Sequence, residues 1–220
     1  MDTTFYFNYL YPFQDRVLDR VNKLETEFYL TGGTAASRGY LRHRVSDDLD
    51  LFVNDAPRFS LWADRILQSL SRPGGWRCDV MQRDERFLRL VVSEEDLSLK
   101  IELVNDVPSH VGSVEQHSTL GRLDSPENIL ANKISALIDR HEPKDLADIW
   151  GFCCRMRLNL EEAIQNSQSK AAGVFPADLA RLLCQVTPSD WELVRWIDAP
   201  PYERFQSDLT QLGENLLLLK

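Results

Sequence analysis

The sequence predicts a mixed fold: an α/β (α+β) half over residues 1–120, a mixed sheet with flanking helices, then a helical half over residues 121–220. Three observations carry the prediction. Strand-like runs in the first half alternate with stretches whose apolar residues recur at helical spacing. From Trp76 onward, three strand-like runs follow one another across short polar turns, the pattern of antiparallel neighbours. Beyond Gly121 the strand signals stop and helix-start signals recur.

The elements follow in order. Phe13, Val17, Val21 and Leu24 share one helical face between Pro12 and Glu25, and Pro12 suits a first turn. A short strand near residues 27–31 runs into Gly32-Gly33, and a helix is expected from Thr34 to Arg42 with Ala35, Ala36 and Leu41 packing inward. Asp48 to Val53 alternates and reads as a second strand. Asn54-Asp55-Ala56-Pro57 is a turn and helix cap, after which Phe59, Trp62, Ala63, Ile66 and Leu70 form an apolar stripe. Ser71-Arg72-Pro73-Gly74-Gly75 ends that helix. Strands are expected at Trp76–Gln82, Arg86–Ser93 and Leu97–Val104. In the last of these, Leu97, Leu99, Ile101 and Leu103 face one side and Ser98, Lys100 and Glu102 the other. Asn105 to Gly121 reads as a loop-rich junction. Asp124-Ser125-Pro126-Glu127 starts a helix whose apolar positions are Ile129, Leu130, Ile134, Leu137 and Ile138. Pro143 opens another, holding Leu146, Ile149, Trp150 and Cys153, and further helices are expected at 160–168, 176–186, 188–197 and 202–219.

Composition narrows the function classes. A chain of 220 residues with 43% hydrophobic content is globular and long enough for a sizeable core. No apolar run approaches the ~20 residues of a membrane span, and Met1-Asp2-Thr3-Thr4 lacks the basic start of a secretory signal. The expectation is a soluble, cytoplasmic protein with no membrane partner. Cys78, Cys153, Cys154 and Cys184 show no metal-ligand spacing and read as reduced packing residues. His43, His110, His117 and His141 also lack such spacing, and the five tryptophans suit core positions better than a stacking platform. The net charge of −9 argues against binding to bulk nucleic acid, although Arg38, Arg42, His43 and Arg44 form a local basic cluster.

The chemistry centres on residues 31–52. In a strand, Asp48 and Asp50 leave one face together, and paired carboxylates suit a hard divalent cation. Fifteen residues earlier, Gly32-Gly33-Thr34 forms a turn after an apolar run, where glycine lets backbone approach a ligand closely. Its N–H groups and the Thr34 hydroxyl are candidate donors to phosphate. No G-x-x-x-x-G-K-[ST] is present, so this is not a P-loop. Arg44 and Ser46 lie between turn and aspartates, where they either touch phosphate or position Asp48. Glu102 joins the pair as a third carboxylate if its strand neighbours theirs, whereas Asp47 falls on the opposite face and reads as a solvated bystander. Taken on their own residues, Lys133 is a surface lysine beside an apolar stripe and Asp145 an acid favoured by the first turn of a helix.

Gly32-Gly33-Thr34-Ala35 followed by Tyr40-Leu41-Arg42-His43-Arg44-Val45-Ser46-Asp47-Asp48-Leu49-Asp50-Leu51-Phe52 resembles the AbiEii/AbiGii-type nucleotidyltransferase toxins of the DNA polymerase β-like superfamily. In the helical half, the stretch Ile129 to Leu137, then Arg140, then Lys144-Asp145-Leu146-Ala147-Asp148-Ile149 resembles the family's lysine helix and R-D-x-x-D-[LI] motif. Lys144 stands where the family usually has arginine. The resemblance implies a nucleotidyltransferase domain over 1–120 and a helical domain over 121–220 closing the nucleotide cleft. It implies catalytic residues Asp48, Asp50, Lys133 and Asp145. Gly32, Gly33, Thr34, Arg44, Ser46 and Lys133 would meet the nucleotide, and Asp48, Asp50 and Glu102 the metal. It implies magnesium or manganese as cofactor and a nucleoside triphosphate (NTP) as substrate. The acceptor would be a tRNA 3′ end, and a separately encoded antitoxin the protein partner.

Other readings stay open at this point. The acceptor could be a protein or small molecule, which the acidic charge keeps open. Alternatively the chain could be an inactive nucleotide-binding regulatory module, against which the intact Asp48/Asp50 pair counts.

Overall fold

The computed structural model describes residues 3–72, 75–168 and 175–218. Pro73 and Gly74 of the expected helix break, and the last residue of the expected 202–219 helix, lie outside them. The described residues divide into two compact units. One comprises those within 2–35 and 46–124, and the other those within 36–45 and 125–220.

The first unit is built on a sheet. Its strands are β1 (Tyr29–Thr31), β2 (Leu49–Asn54), β3 (Arg77–Asp84), β4 (Phe87–Glu94), β5 (Leu97–Asp106), β6 (Glu115–His117) and β7 (Gly121–Leu123), in the spatial order β3-β4-β5-β2-β1-β7-β6. The β3–β4, β4–β5, β1–β2 and β6–β7 pairs are antiparallel, whereas β2–β5 and β1–β7 are parallel. Alternation sets the core face. Leu49 and Leu51 of β2 lie in register with Ile101 and Leu103 of β5, which oppose Leu90 and Leu88 of β4, and all six are buried. Helix α1 (Tyr11–Asn22) packs against α3 (Phe59–Ser71) and β7, and α3 against β3. Of the stripes read from the sequence, Phe13, Val17 and Val21 on α1 and Phe59, Trp62, Ala63, Ile66 and Leu70 on α3 are buried, whereas Leu24 lies beyond α1 and is half-buried.

The second unit is helical. It contains α4 (Pro126–Arg140), α5 (Pro143–Trp150), α6 (Leu160–Gln168), α7 (Pro176–Cys184), α8 (Pro188–Leu193) and α9 (Tyr202–Leu217). Ser125 caps α4 by accepting from the Asn128 N–H, and Thr187 forms a capping box with Asp190 on α8. Trp150, fully buried, meets the rings of Trp196 and Phe205 and donates its indole N–H to Asp208 at 2.8 Å. The segment Ala36–Val45 belongs to this unit. Its Val45 N–H donates to the Arg195 carbonyl, and its His43 carbonyl accepts from Ile197. Leu41 lies so close to Gly151 that a Cβ there would come within 2.6 Å of it.

Several features depart from the sequence reading. The helix expected at 188–197 ends at Leu193, and the one opened by Pro143 continues past Trp150 as a π-helix over Gly151–Arg155. The helix expected at Thr34–Arg42 begins earlier, as one turn, α2 (Gly32–Thr34), and continues as a π-helix over Ala35–Leu41. A π-helical stretch, Tyr6–Leu10, precedes α1 where no element was expected, because its aromatic run hides any period. The junction after Asn105 carries β6 and β7, each three residues long and too short to show alternation.

Candidate active site

The site in the sheet unit begins at the end of β1. Gly32 has φ +66°, a conformation that glycine adopts without strain. A Cβ at this position would lie 2.1 Å from Oδ2 of Asp50, so the missing side chain is what lets that carboxylate sit against the turn. Thr31 precedes the turn without capping it by its side chain; its hydroxyl donates to Asp124 instead. The loop into β2 is held from several directions. Thr34 Oγ1 lies 3.0 Å from Ser46 Oγ and donates to the Asp48 carbonyl. The Gln14 amide donates to the Asp47 carbonyl at 2.8 Å, and the Tyr11 hydroxyl accepts from the Ser46 N–H.

Sheet register then gathers the acids. Asp50 opposes Thr31 on one side and Glu102 on the other, and Glu102 opposes Arg89. Directly paired residues share a face, so one row across the sheet carries Thr31, Asp50, Glu102 and Arg89. The condition set for Glu102 as a neighbour of Asp50 is therefore met. Lys100, two residues before Glu102, places Nζ 2.8 Å from Asp48 Oδ2 and 3.2 Å from Glu102 Oε1. Arg89 Nε donates to the same Glu102 oxygen at 2.9 Å. Burial works against the Lys100 ammonium, yet Asp48 and Glu102 outweigh it and raise its pKa.

Among the described residues no group of three or more His, Cys, Asp or Glu side chains is arranged as a metal site. Asp48, Asp50 and Glu102 nonetheless fit a divalent cation. They are hard oxygen donors, Asp50 and Glu102 in one row of the sheet and Asp48 just before β2, and a cation, the Lys100 ammonium, bridges Asp48 and Glu102.

The helical unit holds a second polar cluster. Asp148 on α5 has no exposed side chain. Arg44 grips it with two bonds, Nε to Oδ1 and an Nη to Oδ2, each 2.7 Å. His43 Nε2 lies 3.0 Å from its Oδ1 and Lys133 Nζ 2.7 Å from its Oδ2. Lys133 also donates to Asp145 at 2.8 Å, and Arg140 reaches both Asp145 oxygens. Burial opposes the charge on Asp148, but Arg44, Lys133 and His43 hold its carboxyl well below the usual range. Asp145 is lowered likewise by Lys133 and Arg140 against burial. Burial drives the His43 pKa down despite Asp148, and its Nδ1 finds no partner among the described residues.

The sequence-derived site thus falls into two groups. Gly32, Gly33, Thr34, Ser46, Asp48, Asp50 and Glu102 lie in the sheet unit. Arg44, Lys133 and Asp145 lie in the helical unit, joined through Asp148. Several expectations need correcting. Arg44, expected to touch the nucleotide, is buried and spent on Asp148. The Thr34 hydroxyl, expected to meet phosphate, is buried and donates to the Asp48 carbonyl, and Ser46 is buried beside it, in keeping with the second of the two placements open to it. Lys133, read as a surface lysine that meets the nucleotide, has a 6% exposed side chain and two carboxylate partners. Lys144 pairs with Glu142, and the forked contact to Asp145 comes from Arg140. Asp47 is half-buried, tied by the Tyr6 hydroxyl at 2.9 Å, not a solvated bystander. Lys100 was overlooked, although its shared face with Glu102 was the available signal. The cysteines are free thiols, and burial pushes Cys154 up to about 12, which keeps it protonated at neutral pH.

The family model described as "Nucleotidyl transferase AbiEii toxin, Type IV TA system" matches residues 16–209. Among curated proteins none matches significantly. Of solved structures, JHP933 from Helicobacter pylori superimposes with a TM-score of 0.62 at 19% identity, over 93% of this chain and 90% of that one. MenT4, a nucleotidyltransferase toxin from Mycobacterium tuberculosis H37Rv, superimposes with a TM-score of 0.60 at 16% identity, over 96% of this chain and 84% of that one. At these identities the two structures share the fold.

Three outcomes are expected from this geometry. Asp148→Ala leaves the buried Arg44 and His43 without their acid and Lys133 with Asp145 alone, and should cost about 3–5 kcal/mol in urea unfolding. Gly32→Ala forces a left-handed residue, worth roughly 1–2 kcal/mol, plus the collision with Asp50. The measured loss should shrink towards the backbone strain in an Asp50→Ala background, where only the residue-50 Cβ, 3.1 Å away, still crowds the new methyl. The third outcome concerns pH. Folded His43 binds its proton less tightly than the unfolded chain does, so stability is full above the unfolded value of about 6.5 and falls below it. The fall between pH 7 and pH 5 should be shallower in His43→Gln, by up to about 1.4 kcal/mol per pH unit for one proton.

Proposed function

The chain belongs to the AbiEii family of nucleotidyltransferase toxins, and we propose that it transfers the nucleoside monophosphate of an NTP to the 3′-hydroxyl of a tRNA. The observation that supports this most is the parallel register of β2 and β5, which sets Asp50 beside Glu102, with Gly32 under the Asp50 carboxylate. Asp48, Asp50 and Glu102 would hold magnesium, or manganese in its place. Such an ion, when bound, stabilises charge on the attacking and leaving oxygens of phosphoryl transfer.

The chain's own residues do the rest. The Gly32-Gly33 turn presents backbone to the triphosphate, since no side chain caps it. Thr34 and Ser46 fix the loop that carries Asp48. A carboxylate of the row accepts the proton of the acceptor hydroxyl. The acceptor oxygen bonds to the α-phosphorus, and the bond to pyrophosphate breaks. Lys133 and Asp145 act as an ion-paired unit that fixes α4 against α5. A cognate antitoxin and a cytoplasmic setting complete the reading. No helix among the described residues is long and apolar enough to cross a membrane.

The net charge of −9 favours a second acceptor class, a protein or small molecule, and one experiment separates the two. Purified protein is incubated with magnesium, each labelled NTP and either total tRNA or a cell extract. Label in tRNA is expected. Label confined to protein or small molecules overturns the acceptor, and no transfer at all leaves a nucleotide-binding module. Asp50→Asn should lower incorporation by at least about a hundredfold, the scale of losing one stabiliser of transition-state charge, while its urea unfolding stays cooperative.

A further inference from the structure

We propose that Lys100 is a built-in counter-ion of the carboxylate row, that a divalent cation must displace it, and that it thereby sets how tightly the cation is held. The proposal rests on the reading of Asp48, Asp50 and Glu102 as cation holders. Lys100 sits on β5 two residues before Glu102, so both side chains leave the same face. Its ammonium spans from Asp48 at the entrance of β2 to Glu102 on the neighbouring strand, at 2.8 and 3.2 Å. Magnesium would need the same oxygens at about 2.0–2.1 Å. A monovalent ammonium and a divalent ion cannot share those oxygens without strong repulsion. Occupancy is therefore exclusive: the ion enters as Lys100 leaves.

The structure makes that exchange feasible. The Lys100 side chain is 38% exposed, so its flexible stem has solvent to swing into. Glu102 is not orphaned when it goes, because Arg89 Nε holds the same oxygen at 2.9 Å from β4. Asp48 keeps its backbone anchored through Thr34 and so stays at its post. In the absence of metal, Lys100 offsets the repulsion between Asp48 and Glu102 and keeps both carboxylates turned toward one point. The gain in order is set against weaker binding, since two ion pairs must break before the cation is held.

The test is Mn²⁺ binding to the full chain without nucleotide, read by the electron paramagnetic resonance signal of free Mn²⁺. Wild type, Lys100→Met, Lys100→Arg, Asp50→Asn and Lys100→Met/Asp50→Asn are compared. Lys100→Met should bind on the order of tenfold tighter than wild type, the release of two half-exposed pairs, and Lys100→Arg should stay near wild type. Asp50→Asn should weaken binding in both backgrounds. Melting supplies a readout independent of affinity. With chelator, Lys100→Met should melt below wild type, and added Mn²⁺ should raise its midpoint more than that of wild type. Binding to Lys100→Met no tighter than to wild type, with wild-type binding still dependent on Asp50, overturns the role of Lys100 and leaves the cation site standing. If neither wild type nor Lys100→Met binds Mn²⁺ above the Asp50→Asn level, the cation site falls and the role of Lys100 falls with it.

Discussion

The helical unit depends on a carboxylate that has no contact with water. Burying Asp148 as an isolated charge would cost several kcal/mol even after relaxation. The fold meets that cost with a forked guanidinium from Arg44, an ammonium from Lys133 and an imidazole from His43. These partners come from two stretches far apart in the chain, Ala36–Val45 and α4, and meet the acid on α5. The demand of one acid for cations explains why residues 36–45, which follow a strand of the sheet unit, pack with the helices instead. Hydrophobic contacts alone, such as Leu41 on Gly151 and Tyr40 beside Phe152, would leave the register of that segment loosely specified. The polar contacts select one.

The sheet unit works by a different constraint. Its carboxylates meet because β2 runs parallel to β5, and a parallel pair needs a long crossover. Here α3, β3 and β4 make it, so β5 returns beside β2 with Glu102 level with Asp50. Register is protected by the apolar face: a slip of one residue would turn Leu49, Leu51, Ile101 and Leu103 outward and the acids inward. The same core that stabilises the sheet therefore sets the spacing of the chemistry. Gly32 adds the local condition, since any Cβ there would occupy the place of the Asp50 carboxylate.

Much of this was legible in the amino-acid sequence, for physical reasons. Alternation in Leu97 to Val104 put Glu102 on the polar face, and the stripes of α1 and α3 identified the core. The D-x-D pair and the glycine turn were readable because their spacing is local. What escaped was long-range or too short for a period. Arg44 finds Asp148 across 104 positions, and nothing near Arg44 in sequence reveals that acid. Its placement between the turn and the aspartates suggested phosphate contact, when its charge was already committed. Thr34 misled similarly, since a hydroxyl beside a glycine turn looks the same whether it faces a ligand or the backbone. β6 and β7 carry three residues each, and β7 is ordered by pairing with β1 rather than by its own pattern.

The acidic balance of the chain also takes on a specific meaning. A net charge of −9 would be a poor basis for gripping bulk nucleic acid, yet phosphoryl transfer needs positive charge at the triphosphate. Several of the basic side chains that looked available are committed: Arg44, Lys133 and Arg140 to Asp145 and Asp148, Arg89 to Glu102, and Lys100 to Asp48 and Glu102. On the proposed reading, an enzyme so arranged would draw its electrophilic charge from a recruited cation more than from its own lysines and arginines. Recruitment, in turn, requires carboxylates that stay ionised and close together before the cation arrives. Such an arrangement is self-repelling in a chain already rich in acid, and a nearby ammonium is the least disruptive means of holding it. The lysine among the carboxylates would then answer the same electrostatic requirement that the proposed cation does.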